Sequence, residues 1–239
     1  MAEAIPGSRR IYRRVVEGVS LLKNNMKEIR YPTLGETWLA ALREVYRAGE
    51  IVGDETRELL QLAVSFETGE FAADPLLLRF GSPGYVEEMR KVFFSDEPNL
   101  FGHSYCDRFR GPQGRGDFGD VIVLLRRSPW SKRAVVTLVG TGDGTVPCIN
   151  AIHFLRRREG LVATYFSRGQ DIFRKFYADG VCLYEMADRV ASSLEIPLLF
   201  ISGFISSAHI YLKDSAEIEE LLERVESLPY ATSLPGGIA

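Results

Sequence analysis

Apolar residues recur at helical spacing from Thr37 to Ala48, at Trp38, Leu39, Leu42, Val45 and Tyr46, and Gly49 follows them. This pattern predicts a helix with a glycine stop. Arg57–Phe66 is apolar enough for either a helix or a strand, and Tyr85–Phe94 reads as a short amphipathic helix. Residues 1–32 are mixed and basic, with Arg9, Arg10, Arg13 and Arg14 near the start, and admit a short helix or strand. Pro98–Gly119 is rich in Gly, Arg and aromatics and reads as a long functional loop.

The second half carries clearer periodicity. Val121–Leu125, Ala134–Val139, Ile149–Leu155 and Leu161–Phe166 are β-rich runs separated by turn residues. Asp171–Leu194 is the longest helix candidate. Gly180 in its interior costs about 1 kcal/mol against Ala, so a packing or ligand reason is expected there. Leu198–Tyr211 predicts a long strand bent at Gly203, and Ala216–Val225 a charged amphipathic helix. Strands cluster before and after one central helix, without β–α alternation. The expected class is α+β, a largely antiparallel or mixed sheet with packed helices, in a single domain over residues 1–239.

Composition narrows the function classes. The chain has 239 residues, 46% hydrophobic and 26% charged, which excludes a disordered or fibrous protein. A formal charge of −3 argues against a nucleic-acid coat but leaves room for a local Arg cluster around a small anion. The three cysteines, Cys106, Cys148 and Cys182, are widely spaced with no CxxC, so neither a disulfide framework nor a zinc site is expected. Met1–Gly7 lacks the apolar stretch of a signal peptide, and no apolar run reaches membrane-spanning length. A cytoplasmic protein without membrane, nucleic-acid or metal partners is the expectation.

Three stretches are candidates for chemistry. Cys148 stands between a Gly-rich stretch (Gly140, Gly142, Gly144) and a β run. A cysteine at a strand mouth suits a nucleophile, and it equally suits a small core residue. Arg168 ends a strand in Ser167-Arg168-Gly169-Gln170-Asp171, where Arg and a helix start can hold an anion. Asp171 reads equally as a plain N-cap. His209 and Tyr211 alternate onto one strand face, as surface residues or as ligand contacts.

The order Pro147-Cys148, strand, Ser167-Arg168-Gly169-Gln170-Asp171, helix, Ala208-His209-Ile210-Tyr211-Leu212 resembles thymidylate synthase and its relatives, the pyrimidine nucleotide hydroxymethylases. Asp120–Leu125 resembles a family strand, and Ser131-Lys132-Arg133 resembles the paired-Arg element. Asn99–Tyr105 resembles the loop with the active-site Tyr, here Tyr105. The likeness covers about Asn99 to Asp214 and is weaker upstream. It implies that Cys148 adds to C6 of a pyrimidine, with its pKa lowered by neighbouring Arg. It implies that C5 then attacks the one-carbon unit of 5,10-methylenetetrahydrofolate. Arg168 matches the phosphate Arg, and Lys132 and Arg133 match residues given in trans by the second subunit of a sheet-to-sheet homodimer. His209 and Tyr211 match the sugar-hydroxyl pair, and Asp171 the acid that contacts the folate pterin. By element order, Arg57 is the candidate for a second phosphate Arg, and Glu87, with Glu88 beside it, for the catalytic Glu.

Four departures shape the expectation. Eight positions after Asp171, where thymidylate synthases carry a uracil-reading Asn, stands Asp179. A carboxylate only accepts, which suits the N4 amino group and protonated N3 of cytosine, and the exchange resembles the cytidylate hydroxymethylase branch. Ile149 stands for the usual His after the cysteine, Gly169 for a Ser, and Lys132 for the first Arg of the pair. Gly169 and Lys132 leave room near sugar and phosphate, so CMP is expected over dCMP. The resemblance thus implies 5-hydroxymethylation of a cytidine 5′-monophosphate. Thymidylate-synthase-type C5 methylation and nucleotide binding without turnover stand as alternatives.

Overall fold

A computed structural model describes residues 26–100, 104–106, 118–138 and 146–228. The N-terminal Arg cluster, the Gly140–Gly144 stretch, most of the Pro98–Gly119 loop and the tail from Leu234 lie outside the described residues.

The chain enters as strand β1 (Lys27–Thr33) and turns directly into helix α1 (Leu34–Ala48). Helix α1 begins three residues before the apolar pattern predicts, because Thr33 and Glu36 form a reciprocal capping box. Strands β2 (Glu50–Val52) and β3 (Thr56–Thr68) follow, which resolves the ambiguous apolar run as a strand. Then come helices α2 (Pro75–Phe80) and α3 (Pro83–Phe94), each with Pro in its first turn and a side-chain cap, Asp74 and Ser82.

Residues Phe118–Arg127 form helix α4, not the β run expected at Val121–Leu125, and the family strand read over Asp120–Leu125 falls with it. Val121 and Leu125 are buried and lie four apart, while Val123 is exposed. The short apolar run therefore buries one helical face, a periodicity a five-residue window does not separate from a strand.

Strands β4 (Val135–Thr137), β5 (Ile149–Arg156), β6 (Leu161–Ser167) and β7 (Gln170–Asp171) precede the long helix α5 (Phe176–Ser193). Strand β8 (Leu198–Tyr211) and helix α6 (Ser215–Glu226) complete the described chain. The strands form one open mixed sheet in the order β1-β3-β8-β6-β5-β4, with β2 on β3 and β7 on β8. Pairs β1–β3 and β6–β8 are parallel, and β3–β8 and β5–β6 antiparallel. The helices and this sheet share one hydrophobic core, built around Trp38, Phe66, Phe93, Phe154 and Phe176. The result is a single α+β domain. Among the described residues no helix is long and apolar enough to cross a membrane.

Two glycines are explained by close approach. A Cβ on Gly180 would stand 2.6 Å from Leu34 Cδ1, so α5 packs on the start of α1 at this point. Packing, not a ligand, is the reason for a glycine in that helix. At Gly203, the aromatic ring of Tyr165 occupies the space of the missing side chain. Strand β8 keeps its pairing with β3 through Gly203 without a register break. The irregularity lies further on. Buried positions switch from Ile201, Gly203 and Ile205 to Ala208 and Ile210, beside Gln61, whose φ is +59°. Past this switch, His209 and Tyr211 are half-buried instead of core-facing.

Candidate active site around Cys148

Cys148 is half-buried at the start of β5. Its carbonyl accepts from the Arg168 N–H at 2.9 Å and from Ser167 Oγ at 3.0 Å, so the end of β6 is stitched to it. The β5–β6 register shifts between Ile149 and Ala151, one step after the cysteine. Such an irregularity re-aims the adjoining side chains. Arg168 folds back on the same segment. Its Nε donates to the carbonyls of Val146 (3.2 Å) and Pro147 (3.1 Å), and its Nη2 to Val146 (2.8 Å).

Tyr105 closes over this strand end. Its hydroxyl accepts from the backbone N–H groups of Cys148 and Ile149, and its ring meets Phe93 edge-on at 5.0 Å. Burial, with the charges of Asp179 and Cys148 adding to it, holds the phenol strongly protonated. Tyr105 is therefore a neutral anchor of the cysteine segment.

Asp179 lies in the first turn of α5 and is 4% exposed. Gln170 Nε2 donates to its Oδ2 at 3.0 Å. Burial pushes its carboxyl up to about 7, against the opposing pull of Lys175 and the Gln170 bond. Asp179 also acts on Cys148. Burial is the main cause that raises the thiol, Asp179 adds to it, and Arg168 and Lys175 only partly offset both. This corrects the expectation of a lowered Cys148 pKa. The Arg is present as expected, but burial and a neighbouring carboxylate outweigh it.

Asp171 is also buried, and its carboxyl is raised by burial. Its Oδ1 accepts from the N–H groups of Phe173 (3.1 Å) and Arg174 (3.0 Å). It thus caps the turn before α5, while Oδ2 takes no bond from the described residues. Trp38 Nε1 fixes that turn by donating to the Ile172 carbonyl at 2.9 Å. Asp171 pairs with His209 across β7–β8, and His209 meets Tyr211 edge-on at 5.6 Å. A Cβ on Gly169 would lie 3.8 Å from His209 Cε1, which places Gly169 beside this pair.

The structure thus joins Cys148, Tyr105, Arg168, Gly169, Asp171, Asp179, His209 and Tyr211 in one region. Four other candidates, Arg57, Glu87, Lys132 and Arg133, stand elsewhere or apart. Arg57 donates to the carbonyls of Tyr46 (3.1 Å) and Gly49 (3.4 Å), which gives it a role at the C-terminal end of α1. The Glu87 side chain is 62% exposed and pairs with Arg90 at 3.3 Å, and Arg90 in turn binds Glu185 of α5. Its neighbour Glu88 pairs with Lys91 at 2.7 Å and accepts from the Leu100 N–H at 3.0 Å. Lys132 and Arg133 are exposed between α4 and β4. Among the described residues no group of three or more His, Cys, Asp or Glu could hold a metal ion.

Three residues that shape the site were not singled out in the sequence: Gln170, Lys175 and Tyr165. Lys175 stands four positions before Asp179, a spacing that joins neighbouring helical turns. Gln170 directly precedes Asp171 but carries no signal by itself. Tyr165 Oη donates to Gln170 Oε1 at 3.4 Å, a contact that needs the tertiary fold.

No family model matches the chain. The chain is 27% identical over 218 residues to a protein of Methanothermobacter marburgensis named "Putative thymidylate synthase", covering 82% of this chain and 98% of that protein. Proteins of the same name from Methanothermobacter thermautotrophicus (25% identical, 80% of this chain, 96% of that protein) and Methanococcoides burtonii (25%, 83% and 95%) are also similar. These similarities support the thymidylate synthase family for this chain and do not select a hydroxymethylase branch within it.

Proposed function

We propose that the protein is a folate-dependent 5-hydroxymethylase of cytidine 5′-monophosphates. The observation that carries this reading is Asp179, a buried carboxyl in the region of Cys148, at the position where the resembled synthases place an amide. Uracil presents O4 as acceptor and N3–H as donor, which an amide matches. Cytosine presents N4–H donors beside the N3 acceptor, which a carboxyl matches.

In this reading Cys148 Sγ adds to C6, and its thiol proton leaves. The carbon C5 gains enamine character and forms a bond to a one-carbon unit. The 5,10-methylenetetrahydrofolate donor supplies that unit at the formaldehyde oxidation level. Loss of the C5 proton, addition of water to the new methylene and departure of Sγ give the 5-hydroxymethyl product and tetrahydrofolate. Asp179 holds the cytosine edge, and Tyr105 holds the Cys148–Ile149 backbone. Oδ2 of Asp171 is an acceptor suited to pterin N–H groups, so the residues present fit the donor. Arg168 meets the phosphate and His209 and Tyr211 the sugar, with Gly169 leaving room for a ribose 2′-hydroxyl.

The protein is further proposed to work as a homodimer, Lys132 and Arg133 of one chain reaching the phosphate in its partner. A sheet face left partly exposed by the described residues supports this. Phe166 and Phe204 stack there at 5.9 Å, and Phe166 is 40% exposed. Sedimentation of the wild type and Phe166→Glu should show a dimer and a weakened dimer.

The names of the relatives favour a second reading, C5 methylation. One incubation separates the two: CMP, dCMP, UMP and dUMP with methylenetetrahydrofolate, read by mass spectrometry. Addition of CH2O to CMP is expected. Addition of CH2 to a uridylate establishes the second reading. Absence of C5 hydrogen exchange with every nucleotide leaves binding without turnover.

A further inference from the structure

We propose that Gln170 is a positioning residue that gives the two oxygens of Asp179 different roles, keeping Oδ2 as a fixed acceptor and leaving Oδ1 to exchange the proton with the pyrimidine edge. The pyrimidine half of this inference rests on the cytidylate reading above. The ordering of Asp179 rests on geometry alone.

Gln170 is 2% exposed and pinned in β7, paired with Ala208 of β8. Its Nε2 donates to Asp179 Oδ2 at 3.0 Å, and its Oε1 accepts from Tyr165 Oη at 3.4 Å. A primary amide can turn end for end, and here its Nε2 meets the Asp179 carboxyl and its Oε1 the Tyr165 hydroxyl. Reversed, the amide oxygen would face an oxygen of the ionised carboxylate, acceptor against acceptor, so the ionised form of Asp179 selects this orientation. Tyr165 is itself held, its ring lying over Gly203 in the centre of the sheet. A buried chain of donors therefore runs from Tyr165 through Gln170 to Asp179. It leaves the carboxyl asymmetric before any ligand arrives.

The asymmetry has a consequence for base choice. Oδ2 accepts from Gln170 and keeps one lone pair, which can take an N4–H of cytosine. Oδ1, carrying the proton, can donate to N3. Against uracil, a fixed acceptor would meet O4, and that pairing is repulsive. Gln170 thus favours cytosine without touching the base.

Among the described residues, the charged and titratable groups that face Asp179 come from several elements. Lys175 lies just before α5 and Asp171 in β7; Cys148 and Tyr105 lie at the start of β5 and above it; Tyr165 is in β6 and Cys182 in α5. Lys175 is the cation among them, and Gln170 supplies the neutral donor. Removing that donor should raise the Asp179 carboxyl further.

The test uses the full chain with Gln170→Leu and Tyr165→Phe, the latter keeping the ring over Gly203. The Asp179 carboxyl is titrated by carbon NMR, with Asp179→Asn assigning the signal, and folding is checked by circular dichroism. Gln170→Leu should move the titration upward by about one pH unit, and Tyr165→Phe by less in the same direction. In parallel, the C5-exchange rates of CMP and UMP are compared across pH. Gln170→Leu should cut the preference for CMP about tenfold and shift its pH profile, where a merely structural loss lowers the rate equally at every pH. An unmoved titration in folded variants overturns the ordering role. A wild type that exchanges neither nucleotide overturns the cytidylate reading and the base-choice half, while the titration still decides what Gln170 does to Asp179.

Discussion

The carboxyl of Asp179 raises the pKa of the Cys148 thiol, across an interface between the start of α5 and the start of β5. The nucleophile proposed for the reaction and the group proposed to read the base are therefore electrostatically linked. A change of charge on one is felt by the other.

The first prediction follows from that link. Asp179→Asn removes the negative charge and keeps the shape, so the Cys148 thiol should titrate lower. Its alkylation by iodoacetamide at neutral pH should rise, with roughly tenfold more thiolate for each unit the pKa falls. Peptide mapping by mass spectrometry separates Cys148 from Cys106 and Cys182. An unchanged Cys148 rate would show that burial alone sets the thiol.

Stability should carry the signature of the same carboxyl. Asp179 titrates near 7 in the folded protein, against an ordinary value of 3.8. Between those values the native state holds a proton that the unfolded chain has released. Unfolding free energy therefore falls as pH rises through that window, with a slope of up to about 1.4 kcal/mol per pH unit from this group. Asp179→Asn should flatten the slope. Urea unfolding at pH 5 and pH 7, wild type against variant, measures it; parallel curves would contradict the assignment.

Gly169→Ser tests the sugar end of the site. The added Cβ meets His209 Cε1 and Ser207 at 3.8 Å or more, ordinary contact distances. The variant should fold with a stability change within about 0.5 kcal/mol. Its hydroxyl would occupy the space proposed for the ribose 2′-oxygen, so kcat/KM for CMP relative to dCMP should drop. A ratio that stays fixed would remove Gly169 from sugar selection.

Gly203→Ala should do more harm than any of these. A methyl group there overlaps the buried ring of Tyr165 in the centre of the sheet, and neither strand can move aside cheaply. A loss of about 1–3 kcal/mol is expected. If the variant folds, Tyr165 should be displaced from Gln170. Thermal unfolding gives the first number, and Tyr165→Ala in the same background should recover part of it if the clash is with that ring.

Elements long enough to show their period were legible in the chain. Strand β8 matches its expected bounds from Leu198 to Tyr211, α1, α3 and α6 fall where apolar spacing places them, and α5 starts at Phe176, five residues after the expected Asp171, which pairs in β7 instead. The short run at Val121–Leu125 was misread, since five apolar residues satisfy either period and packing alone selects between them. The glycines were visible as anomalies, but their causes, Leu34 facing Gly180 and Tyr165 facing Gly203, are contacts between residues more than thirty positions apart.

For the site, the linear order of Cys148, Arg168, Asp171, Asp179, His209 and Tyr211 was enough to carry the resemblance to the thymidylate synthase family, because residue type and spacing along a strand or helix are local properties. Electrostatics is not local. Whether an Arg near Cys148 lowers its thiol depends on how deeply the thiol is buried and on which carboxyl stands opposite. Only the tertiary structure decided that burial and Asp179 prevail over Arg168 and Lys175. It also brought Gln170 and Tyr165 behind Asp179, since a hydrogen bond between β7 and α5 exists only once the sheet and helix have packed.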